Sequence, residues 1–196
     1  MTTDQRPLAS FHEASHVVAA FLQGRSVEFV TARASGRSAG STETGRVFGD
    51  LQTTEDCEIE IVSALAGCEA SRSLGLDDRG SDHDERVAGE IALHATSTVE
   101  QAIALFDKAR ARTRRLVATE RFQNLAVALA AELAAVPAMS GRRAAELLAS
   151  WDPAPVATGI RGATLEQFAS WHSSPWATAK LARMTPRSHP PSGERC

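Results

Sequence analysis

Apolar residues recur at helical spacing along most of the chain, interrupted by two short β-like runs. Over 7–23, Leu8, Phe11, Val18, Phe21 and Leu22 fall on one broad face. Pro7 suits a first turn and Gly24 the position just past an end, so a helix is predicted there. The β-branched and aromatic residues of 27–32 predict a strand. A Gly/Ser-rich turn over 35–40 leads to a second strand over 41–48, antiparallel to the first. Thr53 is predicted to cap a helix over 54–74, with Glu55, Asp56 and Glu58 in its first turn. Its stripe is Ile59, Val62, Leu65, Ala66 and Ala70, and Gly75 ends it.

After a polar loop over 76–80, Ser81 and Asp84 form a capping-box-like start to a helix reaching 94 or 96. Thr98 caps what reads as one long helix over 99–135, with Ile103, Phe106, Leu116, Leu125, Leu129 and Leu133 spaced along it. Pro137 stops it, and Ser140 and Gly141 open a short helix through 148. From Asp152 the composition turns to Pro, Ser, Thr and Trp. The predicted fold is mainly α, in the α+β class. A helical domain over 1–150 carries a small antiparallel hairpin, followed by a short helical appendage over 151–184 and a disordered tail over 185–196.

A chain of 196 residues, 43% hydrophobic and 23% charged, has room for one domain with a short extension. The formal net charge of −3 gives no electrostatic reason to expect a nucleic-acid or membrane partner. No apolar run approaches the roughly 18 residues of a membrane span. The stretch 1–7 is polar and has no signal-peptide core, so a cytoplasmic location is expected. Cys57 and Cys68 would stand about 16 Å apart along a helix, too far for a disulfide, and there is no C-x-x-C zinc spacing. Of 21 basic residues only Lys108 and Lys180 are lysines, and neither completes a G-x-x-x-x-G-K-[ST] phosphate loop. Arg110, Arg112, Arg114, Arg115 and Arg121 read as a solvated helical face rather than a nucleic-acid site, given nearby Asp107 and Glu120. Trp151, Trp171 and Trp176 read as residues that pack the appendage on the main domain.

The chemistry lies in the first helix, where 11–20 read FHEASHVVAA. His12 and His16, four apart, share a helical face, so both imidazoles can reach one metal ion. Glu13, beside the first of them, can take a proton from a metal-activated water attacking a carbonyl. A catalytic zinc needs a third protein ligand. Asp78, Asp82, His83 and Asp84, in DDRGSDHDERVA, are the candidates, and local reasoning does not choose among them.

Four segments in order resemble the peptidase domain of FtsH-type proteases, the membrane-bound ATP-dependent zinc metallopeptidases. FHEASHVVAAFL is similar to that family's H-E-A-G-H helix, and VEFVTARASGRSAG to its following strand and glycine turn. IVSALAGCEASRSLG is similar to its L-A-G-R-x-A-E-x-x-x-G helix, and GSDHDERVAGEIA to its G-A-S-x-D-x-x-x-A segment. The AMSGRRAAELL segment is similar to the domain's end, so the resemblance covers about 8–148. It implies a helical zinc-peptidase fold in which Asp84 is the third ligand beside His12 and His16, with Zn2+ as cofactor and Glu13 as catalytic base. Ser15 stands where the family has Gly, and Cys68 where it has Arg. The family's ATPase module and membrane helices have no counterpart in these 196 residues.

The resemblance therefore implies a metalloendopeptidase acting on unfolded polypeptides or peptides. Either a separate ATPase supplies unfolded chains, or the substrates are already loose segments. With no Tyr in the chain, oxyanion stabilisation falls to the metal, a backbone N–H, His83 or His94. The strand over 41–48 offers an edge for an extended peptide. The competing expectation is a binding or regulatory protein that keeps this fold with weak catalysis; a peptidase that cleaves a single repressor is the third. Oligomeric state does not follow from the sequence.

Overall fold

The computed structural model describes residues 6–33, 40–44, 53–76 and 81–151. These form α1 (Arg6–Leu22), β1 (Val27–Thr31), β2 (Ser41–Thr44), α2 (Thr54–Ser73), α3 (Ser81–His94), α4 (Val99–Val117), α5 (Glu120–Ala135), β3 (Ala138–Ser140) and α6 (Gly141–Trp151). The described fold is mainly helical with one small antiparallel sheet in the order β2-β1-β3. Among the described residues no helix is long and apolar enough to cross a membrane.

Local chemistry sets most boundaries. Gly24 and Gly75 have φ of 70° and 63°, the left-handed geometry that lets α1 and α2 stop cleanly. Thr53 and Thr98 cap α2 and α4, each side chain accepting a backbone N–H three residues on. The stretch predicted as one helix over 99–135 is instead two. Ala118 closes α4, and Thr119 turns extended and accepts the Phe122 N–H to begin α5. Ala-rich, evenly apolar sequence hides this break, because its periodicity continues across it. The break redirects the chain so that Phe122, Leu129 and Leu133 of α5 are fully buried in the core that also holds α1. Each contributes on the order of 2 kcal/mol by burial.

β3 was not foreseen. Its three residues lack β-branched side chains and form a strand because they pair with distant β1, Phe29 opposite Ser140 and Thr31 opposite Ala138. The β1–β2 hairpin pairs as expected, Val30 opposite Thr42 and Thr31 opposite Ser41, with a bulge at Glu28 where the register shifts. β2 spans four residues, and positions 45–48 of the longer predicted strand lie outside the described residues. Gly141 opens α6 directly against the Val27 carbonyl, where a side chain would collide.

Two apolar clusters make the core. One gathers α1, α5, α6 and the sheet. The other gathers the far side of α2 with α3 and α4. The helix α1 is buried on nearly every side, including His12, Glu13 and Ser15. Cys57 and Cys68 are buried and not joined in a disulfide. Trp151 ends α6 packed against the first cluster, whereas the appendage, Trp171, Trp176 and the tail lie outside the described residues.

Candidate metal centre

Three helices converge on one buried point. Helix α1 supplies His12 and His16, α3 supplies Asp84, and α2 packs across them. The Nε2 atoms of the two histidines are 3.0 Å apart, and Asp84 Oδ2 lies 3.2 Å from His12 Nε2 and 3.4 Å from His16 Nε2. Ligand atoms bound about 2.0–2.1 Å from a tetrahedral zinc stand about 3.3 Å from one another. The three atoms therefore already have the spacing of three corners of such a site. The side chains are only 10–11% exposed.

The chemistry of these atoms also fits a cation. The Nδ1 of His16 is 2.8 Å from the Ser63 carbonyl of α2, so Nδ1 carries the proton and Nε2 turns its lone pair inward. Asp84 Oδ2 is buried beside both imidazoles with no well-aligned donor. Lone pairs brought this close repel unless a proton or a metal ion joins them. Burial alone would push the His16 imidazole down, but Asp84 outweighs it and holds it above its ordinary value. Burial alone would likewise push Asp84 up, but His16 and His12 hold it well below the usual carboxylate range.

The hollow at this point depends on Gly67. Ser63 and Gly67 sit one turn apart on the same face of α2. The first meets the back of the His16 ring, and the second faces the convergence point. A Cβ at 67 would lie 2.8 Å from His12 Nε2 and closer still to His16 Nε2, in the space an ion would need.

Among the local candidates for a third ligand, burial separates Asp84 from Asp82 and His83, which are exposed; Asp78 lies outside the described residues. His83 stacks its contacts outward, 3.3 Å from an Arg86 guanidinium nitrogen, and His94 is exposed too. The hydroxyl of Ser15 donates to the Phe11 carbonyl at 2.8 Å within α1, so it is satisfied inside its own helix. The thiol of Cys68 does the same toward Leu65.

Glu13 is 5% exposed and belongs to the same helix turn as His12. Burial raises its carboxyl, outweighing the pull of His16, His12 and Thr42 in the other direction. Its Oε2 accepts the Thr42 hydroxyl of β2 at 2.7 Å. Gly40, just before β2, approaches so closely that a Cβ would lie 2.6 Å from Glu13 Oε1. Sequence reasoning passed over Thr42 and Gly40, whose link to Glu13 crosses 27–29 residues. Gly67 did carry a signal, because a glycine inside a strong helical pattern marks a close approach.

Of the five arginines read as a solvated face, Arg114, Arg115 and Arg121 are exposed, but three of the five make ion pairs with α2. Arg110 and Arg114 reach buried Glu69 of α2 at 3.2 and 2.9 Å, and Arg112 reaches buried Glu58 at 3.2 Å. Arg72 and Arg110 both hold Glu85, the residue after Asp84, at 2.6 and 2.7 Å. Neither protein-family models nor curated proteins give a match to this chain.

Proposed function

We propose that this chain is a zinc-dependent metalloendopeptidase of FtsH-like fold that hydrolyses peptide bonds in unfolded polypeptides or peptides. The observation that carries the proposal is the buried His12–His16–Asp84 group, spaced as zinc ligands and hollowed by Gly67, with Glu13 on the same helix turn. Zinc held there would lower the pKa of a water molecule and polarise the scissile carbonyl.

The protein's own residues supply the rest. Asp84 offsets the metal's charge, and the Ser63 carbonyl keeps His16 in the ligating tautomer. Glu13 accepts the proton of the attacking water and returns it to the departing amine. Burial holds its pKa above the ordinary glutamate value, the direction that makes it a better proton acceptor. Segments like those of FtsH-type peptidases fall on α1, β1, α2 and α3, which supports the kinship. Substrates then arrive already loose or from a separate unfolding ATPase. Nucleic acid and membrane play no part in this reading, and the proposed location is cytoplasmic.

The test combines metal analysis with cleavage of casein by the zinc-loaded protein. One zinc per chain, cleavage lost on chelation, and a Glu13→Gln variant that keeps zinc but cleaves at least about 100-fold more slowly are expected. Zinc binding without hydrolysis would point to a binding protein. Equal cleavage by Glu13→Gln would remove Glu13 from the mechanism.

A further inference from the structure

We propose that Thr42 is a positioning residue for Glu13, which makes β2 part of the reaction centre; this rests on the reading of Glu13 as the general base. The Thr42 hydroxyl donates its one proton to Glu13 Oε2 at 2.7 Å, and its oxygen also lies 3.3 Å from the Glu13 backbone carbonyl, so Thr42 sits against both ends of the same residue. A glutamate has three rotatable side-chain torsions. Buried beside two imidazoles and an aspartate, its carboxylate needs a fixed donor to hold one orientation. Thr42 has few rotamers and stands on a strand registered to β1 opposite Val30, which is fully buried. The donor is thus anchored to the sheet rather than to a loose side chain.

Gly40 makes the contact feasible. The backbone entering β2 passes so close to Glu13 Cγ that a Cβ at 40 would lie 2.6 Å from it and 2.8 Å from the Thr31 carbonyl. Only glycine lets the strand settle this low over α1. One hydrogen bond therefore ties the placement of β2 to that of the base. A displacement of the carboxylate by about 1 Å would cost on the order of 100-fold in rate without weakening substrate binding.

The experiment compares Thr42→Val, which keeps the shape and removes the hydroxyl, with Thr42→Ser, which keeps the hydroxyl. In the zinc-loaded proteins Thr42→Val should lower kcat about 10- to 100-fold, with KM within about twofold of wild type. Thr42→Ser should recover most of that loss, and all three proteins should hold the same zinc. A second readout uses the metal-free protein: Thr42→Val and Glu13→Ala together should lower the urea midpoint by less than their separate effects added. An active wild type with unchanged kcat in Thr42→Val, equal losses in Val and Ser, or a change confined to KM would each overturn the role of Thr42. A zinc-loaded wild type with no hydrolysis would instead remove the enzymatic reading itself, and the role of Thr42 with it.

Discussion

Gly67 of α2 faces His12 of α1 across so narrow a gap that a Cβ on residue 67 would lie 2.8 Å from His12 Nε2. That gap adjoins the His12, His16 and Asp84 atoms that could hold an ion. A methyl group there would compete with the metal and push α2 away from α1. Gly67→Ala should therefore weaken zinc binding by about 100-fold or more, measured by competition with a chromophoric chelator. Gly89 of α3 provides the contrast, since a Cβ there meets nothing within 4 Å. Gly89→Ala should leave zinc binding unchanged and raise stability by about 0.5–1 kcal/mol. Unimpaired zinc binding in Gly67→Ala would show that the hollow is not the metal's place.

The metal-free and zinc-loaded proteins should differ most above neutrality. His16 has a folded pKa above its unfolded value of about 6.5. Its contribution is fully present below that value and is lost as pH rises through the raised one. Asp84 has a depressed folded pKa, so its contribution is present above the unfolded value of about 3.9 and is lost as pH falls below it. Without metal, the pair stabilises the fold best between about pH 4 and 6.5. Zinc needs the imidazoles deprotonated and takes over as that proton leaves. The increase in Tm on adding zinc should be larger at pH 8 than at pH 5.5. Equal increases at both values would argue against metal ligation by His16.

The helix break at Thr119 separates what was legible in the sequence from what was not. Features fixed by neighbouring residues could be read: Thr53 and Thr98 as caps, Gly24 and Gly75 as stops, His12 and His16 as one helical face. Features fixed by distant partners could not. β3 exists through pairing with β1 more than 100 residues earlier. The commitment of Arg110 and Arg114 to Glu69 depends on how α4 lies on α2. Asp84 stood between these cases. Spacing alone left it among four acids and histidines, and a family resemblance singled it out. In the fold it is buried while Asp82 and His83 are exposed. Thr119 was legible in principle, because Thr followed by Glu is an N-cap signal, but continuous apolar spacing masked it.

That cap should be measurable. The Thr119 side chain accepts the Phe122 N–H at 3.2 Å and lets α5 start in a new direction. Thr119→Ala should destabilise the protein by about 1 kcal/mol, read as a lower urea midpoint with an unchanged m-value. Thr119→Asp, which keeps the acceptor, should lose little. If Ala were neutral, the turn between α4 and α5 would be set by packing of Phe122 alone.

Glu69 of α2 ties that helix to α4. Its carboxylate is 4% exposed and meets Arg72, Arg110 and Arg114, while Arg72 and Arg110 also hold Glu85 beside the candidate ligand Asp84. Glu69→Gln would keep the volume but remove the charge that balances three guanidinium groups. Arg72 and Arg114 are well exposed and water can satisfy them, so the loss falls mainly on Arg110. A destabilisation of about 2–3 kcal/mol follows, less than for a fully enclosed pair. Glu90→Gln, which breaks the exposed pair with Arg86, should change stability by no more than about 0.5 kcal/mol. Raising the salt concentration should weaken the Arg86–Glu90 pair more than the Glu69 network, because buried charges are screened less. Urea unfolding of both variants at low and high salt checks the comparison. Equal effects from the two substitutions would mean that α2, α3 and α4 are held by their apolar cluster alone.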